Sequence, residues 1–237
     1  MAVTPAPTNP EEIAAAKARV RRRLRSARAR LSSEELAARA VRLQKILASH
    51  IEPGAVVAGY VPIRGEPDIL PFLKHHAPAG TRADQGTTPD ADTEGRVYLP
   101  VTPTDGSRHL LWVPWTAGDP MRKHSRLPMF EPEHSTEDGL LLPQLVQATA
   151  ASPTGHLVLL VPALAVDSSG ARMGQGGGFY DTTLADLIPA VRQHPDLRCQ
   201  IVAVVHSEEV LSAGDFPVED HDLRASHVVT ENGIFAL

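Results

Sequence analysis

The sequence has 237 residues, of which 42% are hydrophobic, and a formal net charge of −5 at pH 7. This length is enough to bury the core of one α/β domain, and the negative charge gives the chain no global attraction to nucleic acid or anionic membranes. The longest apolar runs are too short to span a bilayer. A single cysteine, Cys199, excludes an internal disulfide and fits a reducing cytoplasm, where we expect the protein to be located.

The first ten residues are rich in proline, alanine and threonine, which predicts a loose tail at 1–10 and no secretion signal. We expect residues 11–237 to form a single domain. A glycine-, threonine-, aspartate- and proline-rich stretch without periodicity predicts a flexible insert at 80–95.

The first ordered segment predicts a basic helix, because Ile13, Val20, Leu24 and Leu31 fall on one apolar stripe. The rest of its surface is predicted to be covered by Lys17, Arg19, Arg21, Arg22, Arg23, Arg25, Arg28 and Arg30. Such a run is most often a solvated face. The alternatives are nucleic-acid binding and the clamping of phosphates by particular arginines.

A second helix is predicted after Ser32, which forms a capping-box pattern with Glu35. The small, β-branched run at 55–60 then predicts a strand that ends in a loop containing Glu66. The Glu66 carboxylate is either an ordinary loop charge or an acceptor for two N–H groups of an aminopyrimidine-type ring. A ligand site at the carboxyl end of this strand is typical of an open parallel sheet.

The next predicted elements are two apolar strands, at 96–101 and 109–115, joined as a hairpin by a turn-like segment. Trp112 and Trp115 are predicted to pack on opposite strand faces. A proline-punctuated loop follows at 121–132.

The most informative stretch joins the apolar run 157–161 to a helical pattern that includes Leu184. Glycines at 174 and 176–178 favour backbone that adopts positive φ or approaches a ligand closely, and successive amides there are suited to phosphate oxygens. Arg172 supplies a positive charge, and Asp181 supplies a carboxylate oxygen suited to magnesium. The stretch therefore predicts a nucleotide-phosphate site, and the alternative is a flexible glycine loop without a ligand.

The two common glycine signatures are both absent. The chain lacks Gly-x-x-x-x-Gly-Lys-Ser/Thr, and after Gly174 and Gly176 a dinucleotide fingerprint needs its third glycine where Phe179 stands. A P-loop kinase and a Rossmann dehydrogenase are therefore both disfavoured.

The C-terminal part predicts a helix towards His194 that is interrupted or kinked at Pro189, and then two more strands. The cluster at 219–222 offers oxygens suited to magnesium. His221 and His227 lack a third His or Cys ligand nearby, which disfavours a transition-metal site. Strands at 55–60, 96–101, 109–115, 157–162, 201–206 and 226–230 with helices among them predict a Rossmann-like three-layer α/β/α domain with a largely parallel sheet.

One long motif resembles a known family signature. The segment Pro162-x-Leu164-Ala165-x-Asp167-x-x-Gly170-x-Arg172-x-Gly174-x-Gly176-Gly177-Gly178-x-Tyr180-Asp181 is similar to the signature of the 5-formyltetrahydrofolate cyclo-ligases, also called methenyltetrahydrofolate synthetases. Weaker resemblances are Arg21-x-x-Leu24-Arg25 to the family's Lys-x-x-Leu-Arg, Tyr60-x-Pro62 with Glu66, Phe130-Glu131-Pro132, and His221-Asp222 with Thr230-Glu231. The resemblance covers most of the chain from Arg21 to Glu231, without the tail and without the insert around 82–95.

This resemblance implies a Rossmann-like fold and the ATP- and magnesium-dependent cyclisation of 5-formyltetrahydrofolate to 5,10-methenyltetrahydrofolate, with release of ADP and phosphate. The family's mechanism phosphorylates the formyl oxygen. The implied partners are the folate substrate and ATP, with no membrane and no nucleic acid, and we expect a monomer.

The resemblance also assigns roles to individual residues. It implies ATP binding by Arg21, Arg25, Arg172, Gly174, Gly176, Gly177, Gly178 and Tyr180. It implies substrate binding by Val61, Glu66, Gln175 and Phe179. It implies that Asp181 and Asp222 hold magnesium.

The sequence departs from the family pattern at three positions. Thr182 stands where arginine usually follows the Tyr-Asp pair, Phe179 replaces a frequent tyrosine, and Arg21 replaces lysine. An alternative function is a catalytically silent protein of this fold that binds RNA or another phosphate-rich partner through its basic helix. Another is an ATP-dependent ligase or kinase with a different substrate.

Overall fold

The computed structural model describes residues 9–63, 65–77, 96–103, 105–125, 127–133, 139–219, 222 and 224–237. The predicted tail lies outside this part of the chain except for Asn9 and Pro10, which cap and begin the first helix. The predicted insert at 80–95 lies entirely outside it.

Six α-helices occur in the described ranges. They are α1 Pro10–Arg28, α2 Ser33–His50, α3 Leu70–His76, α4 Leu142–Ala150, α5 Phe179–Leu184 and α6 Leu187–Val191. Helix α2 begins with the predicted capping box, in which the Ser32 hydroxyl accepts from the Glu35 N–H and the Glu35 carboxylate accepts from the Ser32 N–H. No helix in these ranges is long and apolar enough to cross a membrane.

Twelve strands occur in the same ranges. They are β1 Val56–Ala58, β2 Arg96–Val101, β3 Leu111–Trp115, β4 Met121–Lys123, β5 Phe130–Pro132, β6 His156–Pro162, β7 Ala165–Asp167, β8 Arg172–Met173, β9 Arg198–Val204, β10 Val210–Leu211, β11 His227–Thr230 and β12 Gly233–Ala236. A 3₁₀ turn at Ser207–Glu209 precedes β10.

The main sheet has seven strands in the order β12-β11-β9-β6-β1-β2-β3. Its four inner pairings are parallel, and the two edge strands β12 and β3 pair antiparallel to their neighbours. The predicted largely parallel sheet is therefore confirmed, as is the hairpin of β2 and β3. Strands β4, β5, β7, β8, β10 and β12 were not predicted, and the first five form two small separate sheets.

Alternate residues of the sheet face two different cores. Val57, Val158 and Val202 pack with α2 and α3 on one face, whereas Val56 and Leu157 pack with α4 and α6 on the other. The three-layer α/β/α arrangement is confirmed by this alternation. Trp115 lies in the first core and Trp112 in the second, as their odd spacing predicts.

Two details differ from the sequence-based expectation. The chain does not pass directly from β6 to a helix, because the β7–β8 hairpin lies between them and packs against Leu24 of α1. The following helix breaks between α5 and α6, before Pro189. Pro189 lies in the first turn of α6, where a missing backbone N–H breaks no helical hydrogen bond.

Cys199 lies near the start of β9 and is partly buried. Burial raises the pKa of the Cys199 thiol to about 11, so the nucleophilic thiolate is scarce at neutral pH.

We expect the alkylation rate of Cys199 by iodoacetamide to rise about tenfold per pH unit from pH 8 to pH 10 in the native protein, because the thiolate fraction grows over that whole interval. In concentrated urea the rate should level off close to pH 9, since the unfolded thiol has a pKa of about 8.5. A native rate that also levels off there would contradict a burial-raised pKa. Mass spectrometry after timed quenching measures both rates.

Candidate active site

A cavity of about 160 Å³ lies at the carboxyl ends of the parallel strands β1, β2 and β6. Such a position is the usual ligand site of an open α/β sheet. The cavity is lined by Tyr60, Val61, Ile63, Glu66, Pro100, Thr102, Leu110, Leu127, Met129, Pro162, Arg172, Gly174, Gln175, Gly176, Gly177, Gly178, Phe179, Tyr180 and Asp181. All the predicted site residues except Arg21, Arg25 and Asp222 therefore line one cavity.

The glycine loop, residues 174–178, forms one wall of this cavity between β8 and α5. Gly176 has φ 98° and Gly178 has φ 76°, a conformation that strains any residue with a β-carbon. Gly174 is needed for a different reason, because a β-carbon there would lie 2.8 Å from Nη1 of Arg172. The loop thus has its shape only with glycine at these positions.

Arg172 is the buried cation of the site and is only 3% exposed. Its Nη1 donates to the carbonyl oxygen of Pro162 at 3.1 Å, and its Nη2 donates to Oδ1 of Asp181. The guanidinium carbon lies 5.9 Å from the ring centroid of Tyr180. Its Nε is buried without a hydrogen-bond partner among the described residues. Arg172 therefore connects the end of β6, the glycine loop and α5.

Helix α1 holds the glycine loop from outside the cavity. Nε of Arg21 donates to the carbonyl oxygen of Gly174 at 3.0 Å. Arg25 donates to the side-chain oxygen of Gln175 at 3.0 Å and to its carbonyl oxygen at 2.7 Å. The two arginines lie one turn apart on the same helix face, as their spacing predicts.

The prediction that Lys17 and Arg28 lie on the solvated surface of this helix is wrong. Both are buried, with 8% and 6% exposure, because each reaches buried or partly buried carboxylates. Nζ of Lys17 lies 2.8 Å from Oε2 of Glu219 and 2.7 Å from Oδ2 of Asp222, and Arg28 pairs with Glu209. A sequence signal for Lys17 existed, because Lys17-x-x-Val20-Arg21 has the spacing of the Lys-x-x-Leu-Arg pattern with a true lysine.

Glu66 faces the cavity from the loop after β1 and is 8% exposed. Its Oε2 accepts from the N–H of Ile63 at 3.2 Å, and its Oε1 lies 3.4 Å from Nε2 of Gln175. Burial raises the pKa of Glu66 above the usual value for a glutamate, although the Ile63 hydrogen bond and Arg28 oppose this. A buried carboxylate with few donors on it is poised to accept hydrogen bonds from a ligand.

An apolar wall of the cavity was largely missed by the sequence analysis. It comprises Pro100, Leu110, Leu127 and Met129. Residues 121–132 border the cavity through Leu127 and Met129, while Glu131 of the resembling Phe130-Glu131-Pro132 segment accepts from the Thr102 N–H at 3.0 Å. The missed residues come from loops without periodicity, so only the resemblance pointed to this region.

The two predicted magnesium ligands occupy different surroundings. Asp181 lines the cavity, is one-third exposed and accepts from Arg172. Asp222 is not a cavity residue, and its Oδ2 accepts from both Lys17 and the Glu219 N–H. In the described ranges no group of three or more His, Cys, Asp or Glu is placed to hold a metal ion. His221 lies outside these ranges.

A profile of the 5-formyltetrahydrofolate cyclo-ligase family matches residues 13–231. The chain is 34% identical over 185 residues to the 5-formyltetrahydrofolate cyclo-ligase of Mycolicibacterium smegmatis, covering 78% of each chain. It is 29% identical over 179 residues to the enzyme of that name from Escherichia coli K12, covering 76% of this chain and 79% of the relative.

The fold is also found in a solved structure. The NMR structure of Aquifex aeolicus 5,10-methenyltetrahydrofolate synthetase matches with a TM-score of 0.64 and 19% identity, covering 93% of this chain and 92% of that one. The extent of the family match, together with the similarity to the Mycolicibacterium relative, leads to one conclusion. The chain belongs to the 5-formyltetrahydrofolate cyclo-ligase family.

Proposed function

We propose that the protein converts 5-formyltetrahydrofolate to 5,10-methenyltetrahydrofolate with consumption of ATP and release of ADP and phosphate. The observation that carries the proposal is the single cavity in which a buried carboxylate, an apolar wall and a glycine loop with a buried arginine meet. A flat, partly apolar ring and a polyphosphate need these two different kinds of wall, and here they face the same space.

The folate side of the proposed site is formed by Glu66 and the apolar wall. We assign the Glu66 carboxylate as the acceptor for the N–H groups of a pterin ring, with Val61 and Phe179 in the lining of the same cavity. Gln175 connects this side to the glycine loop, since its side chain reaches Glu66 and receives a hydrogen bond from Arg25. Loss of the loop's position would therefore also disturb the folate side.

The nucleotide side is formed by the glycine loop. We assign phosphate binding to backbone N–H groups at 174–178, with Arg172 buried behind them and Arg21 and Arg25 fixing the loop's carbonyls. Helix α5 has only six residues, so the loop amides carry this role and not a long helix dipole.

Magnesium fits this site only with oxygens supplied by the nucleotide itself. Mg²⁺ is usually held by one or two carboxylates together with substrate phosphates, and we assign this role to Asp181, which lines the cavity next to the glycine loop. Asp222 fits less well, because it does not line the cavity and its Oδ2 is paired with the Lys17 ammonium. When bound, the ion would neutralise charge on the phosphates during transfer.

The chemistry follows from the poor leaving ability of a formyl oxygen. In the proposed reaction the formyl oxygen attacks the γ-phosphorus and ADP leaves. Nitrogen N10 of the folate then attacks the activated formyl carbon and loses its proton to solvent, the ring closes, and the oxygen departs with the phosphate. The protein's part is to hold the two substrates in line and keep water away from the activated group. No covalent protein nucleophile is needed.

The alternative of an RNA-binding protein is weakened by the direction of the basic side chains. Lys17, Arg21, Arg25 and Arg28 all contact the body of the protein, so half of the eight cations of the basic helix are engaged there. Binding of RNA predicts steep salt dependence and indifference to the glycine loop. A cytoplasmic location and a monomeric state stay predictions.

The direct test is to mix the protein with 5-formyltetrahydrofolate and MgATP. We expect the near-ultraviolet absorbance of the methenyl product to grow in step with phosphate release, and neither signal to appear without ATP. An enzyme-free sample at the same pH is the control. Folded protein that is silent in both signals would overturn the proposal.

The variant Asp181→Asn tests the nucleotide side, because it keeps an acceptor for Arg172 and removes the charge. We expect kcat/KM for MgATP to fall by about 100-fold or more, since charge stabilisation during phosphoryl transfer is lost. Asp196→Asn, at an exposed position away from the cavity, is the matched control and should retain full activity. Activity of Asp181→Asn within about threefold of the unmodified protein would contradict the assignment.

The variant Gly176→Ala tests the shape of the loop. At φ 98° a β-carbon costs about 1–2 kcal/mol, and we expect the strained loop to shift and the KM for MgATP to rise about tenfold. Gly214→Ala is the matched control, because Gly214 has φ 90° with open space around it. It should lose similar stability in urea with an unchanged KM. Equal KM values in the two variants would show that the loop is not part of the nucleotide site.

A further inference from the structure

Arg28 is a buried arginine that the reaction proposed above does not use. Its side chain is 5% exposed, and Nη1 is buried without a hydrogen-bond partner among the described residues. A buried N–H group without an acceptor costs free energy, so an arginine held in this way calls for an explanation.

The rest of the guanidinium is tightly held. Nε lies 2.5 Å from Oε1 of Glu209 and Nη2 lies 2.8 Å from Oε2, which is a two-point ion pair. Nη2 also donates to the carbonyl oxygen of Ala163 at 2.6 Å. Glu209 is itself fixed, because its Oε2 accepts from the His206 N–H at 2.9 Å. These contacts fix the orientation of the guanidinium group, and therefore also the position of Nη1.

The free Nη1 of Arg28 faces Glu66. Nη1 of Arg28 lies 3.9 Å from Oε1 of Glu66, close enough for charge interaction and too far for a hydrogen bond. Both side chains are nearly inaccessible to water, with 5% and 6% exposure, so the interaction is weakly screened. Arg28 packs directly on the turn before Glu66, with its β-carbon 3.4 Å from where a β-carbon on Gly65 would lie.

Several other ionisable groups surround Glu66. They are Tyr60 after β1, Asp68 in the same loop, Tyr180 of α5, and Glu209 with the neighbouring His206. Burial raises the pKa of both tyrosines and lowers that of His206, so these three are uncharged at neutral pH. Within the part of the chain that the structure describes, Arg28 is the cation with the largest effect on Glu66, and Glu209 opposes it.

We propose that Arg28, locked in place by Glu209, is a positioning residue that keeps Glu66 ionised inside the folate pocket. Its free Nη1 supplies a fixed positive charge without occupying the carboxylate oxygens, which stay available to the N–H groups of the ligand. The inference rests on the proposed function, in which Glu66 binds the folate ring. It adds Arg28 and Glu209 as residues that set the pH range of folate binding.

The sign of the effect follows from the charges. Protonation of Glu66 removes an acceptor, so folate affinity falls as the pH falls through the pKa of Glu66, which burial already raises. We call this fall in affinity at low pH the acid limb of folate binding. Arg28 moves the acid limb to lower pH, and Glu209 moves it to higher pH. Removing the Glu209 charge alone therefore moves the limb to lower pH, whereas removing both charges moves it to higher pH, because the effect of Arg28 on Glu66 exceeds that of Glu209. Mere damage to the fold would shift both variants alike.

The test measures the KM for 5-formyltetrahydrofolate between about pH 5.5 and pH 8 with saturating MgATP and an enzyme-free control at each pH. The variants are Glu209→Gln, which keeps the Arg28 charge, and the double variant Arg28→Met with Glu209→Met, which removes both charges and leaves no unpaired ion. Glu66→Gln is the control, because the limb assigned to Glu66 should disappear in it.

We expect the acid limb to move up by about one pH unit in the double variant, which raises the folate KM about tenfold below the limb. In Glu209→Gln it should move down. The KM for MgATP should stay within about twofold in both. An unmoved limb in the folded double variant, or a limb that persists in Glu66→Gln, overturns the inference.

If the double variant does not fold, Glu209→Gln decides alone, since an unmoved or raised limb contradicts the inference and a lowered one supports it. The activity of the unmodified protein distinguishes a failure of the proposed function from a failure of the role of Arg28. If it does not cyclise 5-formyltetrahydrofolate at all, the proposed function fails. If it does and the limbs do not move as stated, only the role of Arg28 fails.

Discussion

The buried guanidinium of Arg172 is the constraint on which the site depends. A charge that is 3% exposed must be met by partners, and its partners are the Pro162 carbonyl at the end of β6 and the Asp181 carboxylate on α5. The two partners belong to different elements, so the hydrogen bonds of Arg172 fix the distance between the sheet and helix α5. The glycine loop then has to cross the guanidinium, which is why residue 174 has no side chain.

Helix α1 also helps to fix the position of the site, from outside the cavity. Four of its cations contact the rest of the chain: Lys17, Arg21, Arg25 and Arg28. Lys17 contacts Glu219 and Asp222, and Arg28 contacts Glu209. Arg21 and Arg25 donate to the carbonyl oxygens of Gly174 and Gln175. The helix has little apolar surface to bury, so directed hydrogen bonds contribute much of its docking. Nucleotide and folate sides of the cavity thus share one external support.

The sequence was sufficient for six of the seven strands of the main sheet and for most of the cavity. Six strands were predicted from apolar runs, and the glycine stretch with Arg172 and Asp181 was identified from residue chemistry and family resemblance. The small strands β7, β8 and β10 were missed because runs of two or three residues carry no periodicity. Lys17 and Arg28 were misplaced for a physical reason. A cation is assigned to the surface unless its carboxylate partner is known, and Glu219, Asp222 and Glu209 lie far away in the sequence.

The strand order has a consequence for how the protein is made. β1 pairs on one side with β2 and on the other with β6, so that Val56 lies beside Leu157. While the ribosome is still translating the second half, the emerging β1 therefore presents an open row of backbone N–H and C=O groups, and α1 has no loop to grip. Such an edge attracts other chains. The first half of the protein therefore keeps an unpaired strand edge until β6 arrives, and the cavity is complete only after the chain has been made as far as Asp181.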